Sequence, residues 1–171
     1  MIRWNLGSKL FFPSRHLWIR PTRINKDLLS SSTSQLYIEI GITDRGWQDL
    51  GDITAVSSQH QVQNEVKQGE CLLTMDWDGH AISTADELYH TVWDSISGTY
   101  DLHSPIDGQV EYLATKEGNT VSDDEDVLAI LSTSDKDFHT KWLDKFVSER
   151  EYDKLIRNEI GTFHKVDGLY R

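Results

Sequence analysis

Residues 35–56 read QLYIEIGITDRGWQDLGDITAV, and this stretch indicates how the chain builds its fold. Its first part, Gln35–Ile40, alternates apolar and polar residues, which is the pattern of a half-buried β-strand. Asp44–Leu50 is typical of one short helical turn. Asp44 is predicted to cap this turn, and Gly51 to close it in a left-handed conformation. The last residues, Asp52–Val56, return to a strand pattern, so the stretch predicts two strands joined by a compact connection.

The rest of the chain shows more short strands and then a helical region. Further strands are predicted at Cys71–Met75, Gln109–Ala114 and Asp126–Leu131, with turns at Asn64–Glu70 and Ser104–Gly108. Asp135 is predicted to cap a helix, and a second short helix is expected after Ser148, with Tyr152, Leu155 and Ile156 facing inward. Many short strands with glycine turns predict a sandwich or barrel. The expected fold class is therefore mainly β with flanking helices.

Length and composition exclude several classes of protein. The chain has 171 residues and a single cysteine, Cys71, so neither a disulfide framework nor a cysteine-rich zinc site is expected. The longest uninterrupted apolar run is Val127–Leu131, whereas a membrane-spanning helix needs about 20 apolar residues. No transmembrane segment is predicted.

The charge is divided unevenly along the chain. The formal net charge is −11, yet residues 1–26 contain six basic groups and no acid. Residues 27–171 hold the other 11 basic groups and all 28 acids, a balance of −17. Such an acidic surface repels phosphate backbones, so nucleic-acid binding is not expected. It favours a basic protein partner, although a solvated acidic surface also serves solubility alone.

The first 26 residues form a basic arm with several large aromatic groups, a composition that resembles an organelle transit segment. An ordered arm needs a surface on which to lie. We therefore predict that it docks on a partner protein, because aromatic and arginine side chains are common interface anchors. The predicted partner-binding residues are Arg3, Trp4, Lys9, Phe11, Phe12 and Arg15. The alternative is that the aromatic groups pack on the core of this chain.

Five segments resemble, in the same order, segments of the H protein of the glycine cleavage system, a carrier of lipoate. The most specific is GITD at Gly41–Asp44 followed by LGDI at Leu50–Ile53, which the family shows on either side of a short helix. The others are HLWI at His16–Ile19, VKQGE at Val66–Glu70, DLHSPIDG at Asp101–Gly108 and EREYDKL at Glu149–Leu155. The resemblance covers residues 16–156 and implies a flattened β-barrel of the lipoyl/biotinyl type, a barrel-sandwich hybrid.

The position that carries the family's chemistry differs in this chain. In the family, a lysine in the segment ESVKAAS carries lipoate in amide linkage, and the counterpart here is Asp94–Tyr100, with Ser97 at the lysine position. A serine hydroxyl cannot form that amide, and no lysine lies between Lys67 and Lys116. We expect Asp94–Tyr100 to form a β-turn between strands. The resemblance then implies a carrier fold without its cofactor or catalytic residues.

A second departure is an insertion at about residues 73–92. It contains Thr84 and Glu87 in the T-x-x-E spacing of a capping box, which predicts a short helix. The predicted organisation has three parts. They are an arm (1–26), an H-protein-like β domain with this insert (27–134), and C-terminal helices with a tail (135–171).

Metal binding and catalysis have weak support. Asp76 and Asp78 faintly resemble positions of an EF-hand calcium loop, but no helix is predicted before them. His80, His90 and Asp86 could converge on a metal, but their spacing alone does not require it. The sequence contains no GxSxG nucleophile motif and no glycine-rich phosphate loop. We predict neither a metal site nor enzyme activity.

Two functions fit these observations. The favoured one is a non-catalytic, non-lipoylated scaffold or accessory subunit of a larger organellar protein complex, associated with a membrane through its other subunits. The expected location is the chloroplast stroma and thylakoid surface or the mitochondrial matrix. The stromal face of a photosystem is preferred slightly over a respiratory complex. The alternative is a non-lipoylated regulator or component of the glycine cleavage system itself.

Overall fold

The computed structural model describes residues 5–23, 34–83, 92–115 and 125–167. In these ranges the strands are β1 Leu10–Phe12, β2 Leu17–Thr22, β3 Gln35–Ile42, β4 Asp52–Ser57, β5 Glu65–Val66, β6 Cys71–Ser83, β7 Val92–His103, β8 Gly108–Leu113 and β9 Ala129–Ser134. The α-helices are α1 Asp44–Trp47, α2 Asp135–Asp137 and α3 Glu149–Asp167. A 3-10 turn covers Pro13–Arg15, and α2 continues through a π-helical turn, Phe138–Trp142, into a 3-10 turn, Leu143–Lys145.

Two antiparallel sheets make up the β domain. The larger has the strand order β1-β2-β3-β9-β8-β5, and the smaller has β4-β6-β7. Their inner faces enclose one apolar core, as expected when apolar residues alternate with polar ones along each strand. Fully buried residues of this core include Leu17, Ile19, Leu36, Ile38, Ile40, Leu72, Leu73, Met75, Leu102, Val110 and Leu131. The predicted class, mainly β with flanking helices, is confirmed.

The predicted helix caps are wrong by one residue. Thr43, not Asp44, caps α1, because its side-chain oxygen accepts a hydrogen bond from the Gly46 N–H at 3.2 Å. Ser134, not Asp135, caps α2 by accepting from the Asp137 N–H at 3.0 Å. In both cases a hydroxyl at the end of a strand reaches the free amide first.

Gly51 does not adopt the predicted left-handed conformation. The glycines with positive φ in the described residues are Gly7 and Gly69. At Gly51 a Cβ would instead collide with the carbonyl oxygen of Asp78. The glycine is therefore explained by the close approach of two backbones, which leaves no room for a side chain.

The last strand and last helix differ from their predicted bounds. β9 begins at Ala129 rather than Asp126 and runs to Ser134, because it pairs with β3 over that length. α3 is longer than predicted and buries Tyr152, but Leu155 is 43% exposed instead of inward-facing. No helix in the described ranges has both the length and the apolar character needed to cross a membrane.

The largest correction concerns the hairpin of β6 and β7. The predicted turn at Asp94–Tyr100 is part of strand β7, and its residues pair one-to-one with β6 from Thr74↔Asp101 to Ser83↔Val92. The insertion lengthens both strands, so the chain reverses beyond Ser83 instead of near Ser97. The predicted capping box at Thr84 and Glu87 lies outside the described residues.

Candidate functional site

The hairpin of β6 and β7, with β4 beside it, positions the residues around Ser97. Strand alternation gives this three-stranded sheet two faces. Met75, fully buried, lies on the inner face, and its neighbours Thr74 and Asp76 lie on the outer face. Cross-strand partners share a face, so Asp78 and Ser97, which oppose one another, both lie on the outer face.

The outer face is acidic and hydroxyl-rich. Asp52 of β4 lies directly opposite Asp78 of β6, and both are exposed. On the other side of β6, the Thr74 hydroxyl donates to Asp101 Oδ1 at 2.8 Å. With Asp76, which is also exposed, these carboxylates form a negative surface across three strands. We call this surface, made of Asp52, Asp76, Asp78 and Asp101, the acidic face.

The inner face carries apolar groups beyond the main core. The Trp77 ring covers Gly98, where a Cβ would lie only 2.7–3.0 Å from three of its ring atoms. Ile53 of β4 pairs with Trp77 from the other side, and Ile96 is 41% exposed. The Trp77 ring thus occupies the space left by Gly98, and the apolar side chain of Ile96 beside it is partly exposed to solvent.

Ser97 lies exposed in the middle of β7, among small polar residues and opposite Asp78. Nothing in that position resembles the tip of a turn. A serine acts as a nucleophile when a general base such as histidine takes its proton. The group directly opposite Ser97 is the carboxylate of Asp78.

β7 is also an edge strand. It pairs with β6 along one side, and no strand of the described ranges pairs with its other side. Ser95, Ile96, Ser97, Thr99 and Asp101 are all exposed along it. The unpaired N–H and C=O groups of such an edge can accept another strand.

The structure places the predicted arm within the protein instead of apart from it. β1 and β2 join the six-stranded sheet, and Phe11 is 8% exposed, with its ring stacked on Tyr152 at 4.8 Å. The half-buried Phe12 lies 5.7 Å from the ring of Phe146. These two aromatic groups pack on this chain, which is the alternative considered above. Arg3 and Trp4 lie outside the described residues.

The basic groups near the N-terminus largely pair with acids of the same molecule. Lys9 Nζ lies 2.6 Å from Glu125 Oε1 and 4.6 Å from the centre of the Trp18 ring. Arg20 pairs with Glu39 and Arg23 with Asp135. Arg15 is exposed and lies close enough to Tyr100 to lower its pKa, although burial has the larger effect and raises it.

One buried polar cluster was not identified from the sequence. The Tyr152 hydroxyl lies 2.9 Å from His16 Nδ1 and 2.7 Å from Thr43 Oγ1. His16 has a left-handed φ of 51° at the end of the 3-10 turn. The three residues come from separate segments of the H-protein resemblance, so only their place in those motifs could have indicated that they meet. The cluster attaches α3 to the barrel.

The weak calcium interpretation concerns Asp76 and Asp78. Both lie in strand β6, where the chain is extended, whereas an EF-hand loop curls around its ion. The described residues contain no group of three or more His, Cys, Asp or Glu side chains suited to a metal. Asp86 and His90 lie outside those residues.

A polar cleft of about 380 Å³ lies between β5, β8 and the start of the C-terminal helices. Two ion pairs lie in its lining, with Lys141 Nζ 3.1 Å from Asp137 Oδ1 and Lys67 Nζ 4.0 Å from Asp107 Oδ2. Hydrogen bonding by Ser134, and then Lys141, lowers the pKa of Asp137. Together with Glu65, the lining of the cleft holds three acids and two lysines.

Two packed sheets, with the hairpin and the helical C-terminus, define a barrel-sandwich fold of the lipoyl-domain type. The structure is similar to a glycine cleavage system H protein from Mycobacterium marinum, with a TM-score of 0.52 and 18% sequence identity. The match covers 87% of this chain and 96% of that protein. The expected fold is confirmed. No family model matches the sequence, and no curated protein sequence matches it.

Proposed function

We propose that this chain is a non-catalytic, non-lipoylated scaffold with the H-protein fold that binds other proteins. The observation that carries the proposal is Ser97. It occupies the place of the lipoyl lysine in the sequence comparison, and it is an exposed hydroxyl in a regular strand. The chain between Lys67 and Lys116 contains no lysine whose amine could take lipoate. A fold without its reactive group still offers surfaces for binding.

The kind of partner follows from charge. The acidic face is exposed, and the chain carries a formal net charge of −11. Complementary charge speeds encounter and excludes wrong partners, so we propose a basic protein surface as the partner. The basic residues near the N-terminus contribute less, because Lys9, Arg20 and Arg23 are paired within the chain.

We place the scaffold in an organellar complex, in the chloroplast stroma or the mitochondrial matrix. The basic, acid-free composition of residues 1–26, which resembles an organelle transit segment, supports this location. A membrane-associated assembly, such as the stromal face of a photosystem or a respiratory complex, is the proposed setting.

The second candidate is a non-lipoylated regulator or component of the glycine cleavage system. The structural match to an H protein over 87% of the chain favours it. A regulator of this kind would be a matrix protein that competes with a genuine H protein for its decarboxylase. The two candidate functions therefore predict different binding partners for the same unmodified chain.

The test isolates the native protein in mild detergent and records its intact mass together with its co-migrating subunits. An unmodified mass and stoichiometric migration with a large membrane complex would support the scaffold. Migration with the decarboxylase would support the regulator. A mass raised by one lipoyl group would refute both, and a genuine H protein from the same extract provides the positive control for lipoylation.

A further inference from the structure

The free edge of β7 contains two acidic residues, Asp94 and Asp101, but lacks the other features by which proteins usually protect such an edge. Exposed edge strands are commonly short, or interrupted by proline, lysine or a bulge. β7 runs from Val92 to His103 and contains no Pro, Lys or Arg. Its ladder with β6 is regular from Thr74↔Asp101 onward, so no bulge turns this part of the edge away. The edge can therefore continue the sheet by one strand.

The two faces beside this edge differ in chemistry. Ser97, Thr99 and Asp101 lie on the acidic side of the sheet, and Asp76 and Asp78 stand one strand behind them. On the opposite side, Ile96 is 41% exposed and Gly98 lies under Trp77. An added strand would alternate its side chains between these two environments.

We propose that β7 binds an extended segment of a basic partner protein by strand addition, with Lys or Arg of that segment alternating with apolar residues. Backbone hydrogen bonds to β7 provide the pairing, and the alternation provides specificity. The basic side chains lie on the acidic face, and the apolar ones lie against Ile96 and Trp77. This inference rests on the proposed scaffold function and identifies its docking surface.

A second copy of the chain is the less favourable occupant. Pairing of two β7 edges would bring the acidic rows of both copies together, including Asp76, Asp78 and Asp101. Like charges opposite one another across strands are destabilising. A basic segment would be attracted to these carboxylates instead of repelled. Charge therefore favours binding of a basic partner segment over pairing of two copies of this chain.

The test uses the full chain and a synthetic peptide, Lys-Val-Lys-Val-Lys-Val-Lys. We expect saturable binding by calorimetry, weakening as salt is raised, and slowed hydrogen exchange at the amides of residues 95–101. Two control peptides separate the causes. One has Glu in place of Lys, and the other keeps every side chain but is N-methylated on all central residues, which removes the N–H donors. Neither is expected to bind measurably.

A matched pair of variants locates the site. Thr99→Lys places a positive charge on the β7 edge, where it repels the lysines of the peptide. We expect this variant to bind the peptide at least about tenfold more weakly. Ser57→Lys adds the same charge on the same face at the opposite edge, in β4, and is expected to change binding by less than about threefold. Circular dichroism confirms that both variants fold.

Three outcomes would overturn the inference. They are equal binding of the N-methylated peptide, equal weakening by the two variants, and a concentration-dependent dimer of the wild type that Thr99→Lys abolishes. Failure of the peptide to bind a chain that co-purifies unmodified with its complex rejects strand addition but leaves the scaffold function standing. A lipoylated native chain would instead reject the scaffold function, whatever the peptide does.

Discussion

Tyr152 connects the C-terminal helix to the β domain through both its ring and its hydroxyl. The ring stacks on Phe11, and the hydroxyl lies within hydrogen-bond distance of Thr43 and His16. We expect Tyr152→Phe to lower the free energy of unfolding by about 1–3 kcal/mol, because two hydrogen bonds are lost while the ring contact remains. Urea denaturation measures this. Leu155→Ala, at an exposed position of the same helix, is the control and should cost at most about 0.5 kcal/mol.

The same tyrosine should make the free energy of unfolding fall at high pH. Burial raises the pKa of Tyr152, against a smaller lowering by its hydrogen bond to Thr43, and burial also raises the pKa of Tyr100. The folded state therefore favours the neutral phenols. Their contribution is complete below the unfolded pKa of about 10 and is lost as pH rises through the folded pKa. Unfolding free energies measured from pH 8 upward should fall above about pH 10, and less steeply in Tyr152→Phe. Equal slopes would contradict this assignment.

Single residues also show where sequence analysis reaches its limit. Thr43 and Asp44, or Ser134 and Asp135, are adjacent residues that can all cap a helix. Which of them does so depends on where the preceding strand ends, and that is decided by pairing with distant strands. Gly69, which lies in the predicted turn at Asn64–Glu70, has a left-handed φ, whereas Gly51 is required by contact with β6, which the local sequence does not reveal.

At the scale of elements, the hairpin of β6 and β7 is longer than the strand pattern of the sequence predicts. Cys71–Met75 was predicted as a strand, but β6 continues to Ser83. Asp and Gly are depleted in strands, so Asp76, Asp78 and Gly79 favoured a loop. In the structure these residues fit a strand, because Asp76 and Asp78 face solvent and the Trp77 ring lies over the glycines of the hairpin. The family resemblance predicted the barrel but also placed a turn at Ser97, because its pattern does not include the insertion.

The Trp77 ring leaves less space beside Gly98 than beside Gly79. A Cβ at Gly98 would lie 2.7–3.0 Å from the Trp77 ring, whereas at Gly79 it would meet ordinary contacts of 3.5–3.7 Å. Gly98→Ala should therefore destabilise the hairpin by about 1–3 kcal/mol through overpacking, and Gly79→Ala should be nearly neutral. Hydrogen exchange of the β6 and β7 amides measures the local effect. Similar exchange in the two variants would contradict the packing argument.

Ser97→Lys tests whether the side chain alone prevents lipoylation. We expect this variant to remain unmodified by a lipoate ligase with lipoate and ATP, because position 97 lies in a paired strand. There a new amine would pair with the opposing Asp78 carboxylate. Intact mass spectrometry is the measurement, with a genuine H protein as the positive control. A gain of one lipoyl mass at position 97 would show that the strand is no obstacle.

For the whole molecule, the described part of the basic N-terminal segment, residues 5–23, contributes two strands to the larger sheet. Sequence composition separated residues 1–26 as an arm, but β1 and β2 pair with each other and with β3. Lys9, Arg20 and Arg23 neutralise acids from distant parts of the chain. Pairing over more than a hundred residues, as between Lys9 and Glu125, depends on the complete fold and has no local signal in the sequence.

Truncation distinguishes a structural strand from a docking arm. Removal of residues 1–12 deletes β1, with Leu10 only 2% and Phe11 8% exposed. We expect it to lower the free energy of unfolding by about 3–5 kcal/mol, because two large core side chains are lost. Removal of residues 5–7 together with those before them is the control and should cost much less than removal of β1, because Leu6 is 46% exposed and residues 5–7 contribute no side chain to the core. An equal thermal midpoint for all three chains would restore the docking-arm interpretation.

The unprotected edge of β7 also bears on how this protein can exist outside a complex. The net negative charge of the chain helps to keep such edges apart, and this net charge vanishes near the isoelectric point of the sequence, about 4.9. Near that pH the chains should assemble edge to edge, and precipitates rich in cross-β structure are the expected product. Under the proposed scaffold function, a copy synthesised in excess of its partner would present the same open edge to every neighbour in the cell. Orphan copies should therefore be short-lived, and their abundance should follow that of the partner.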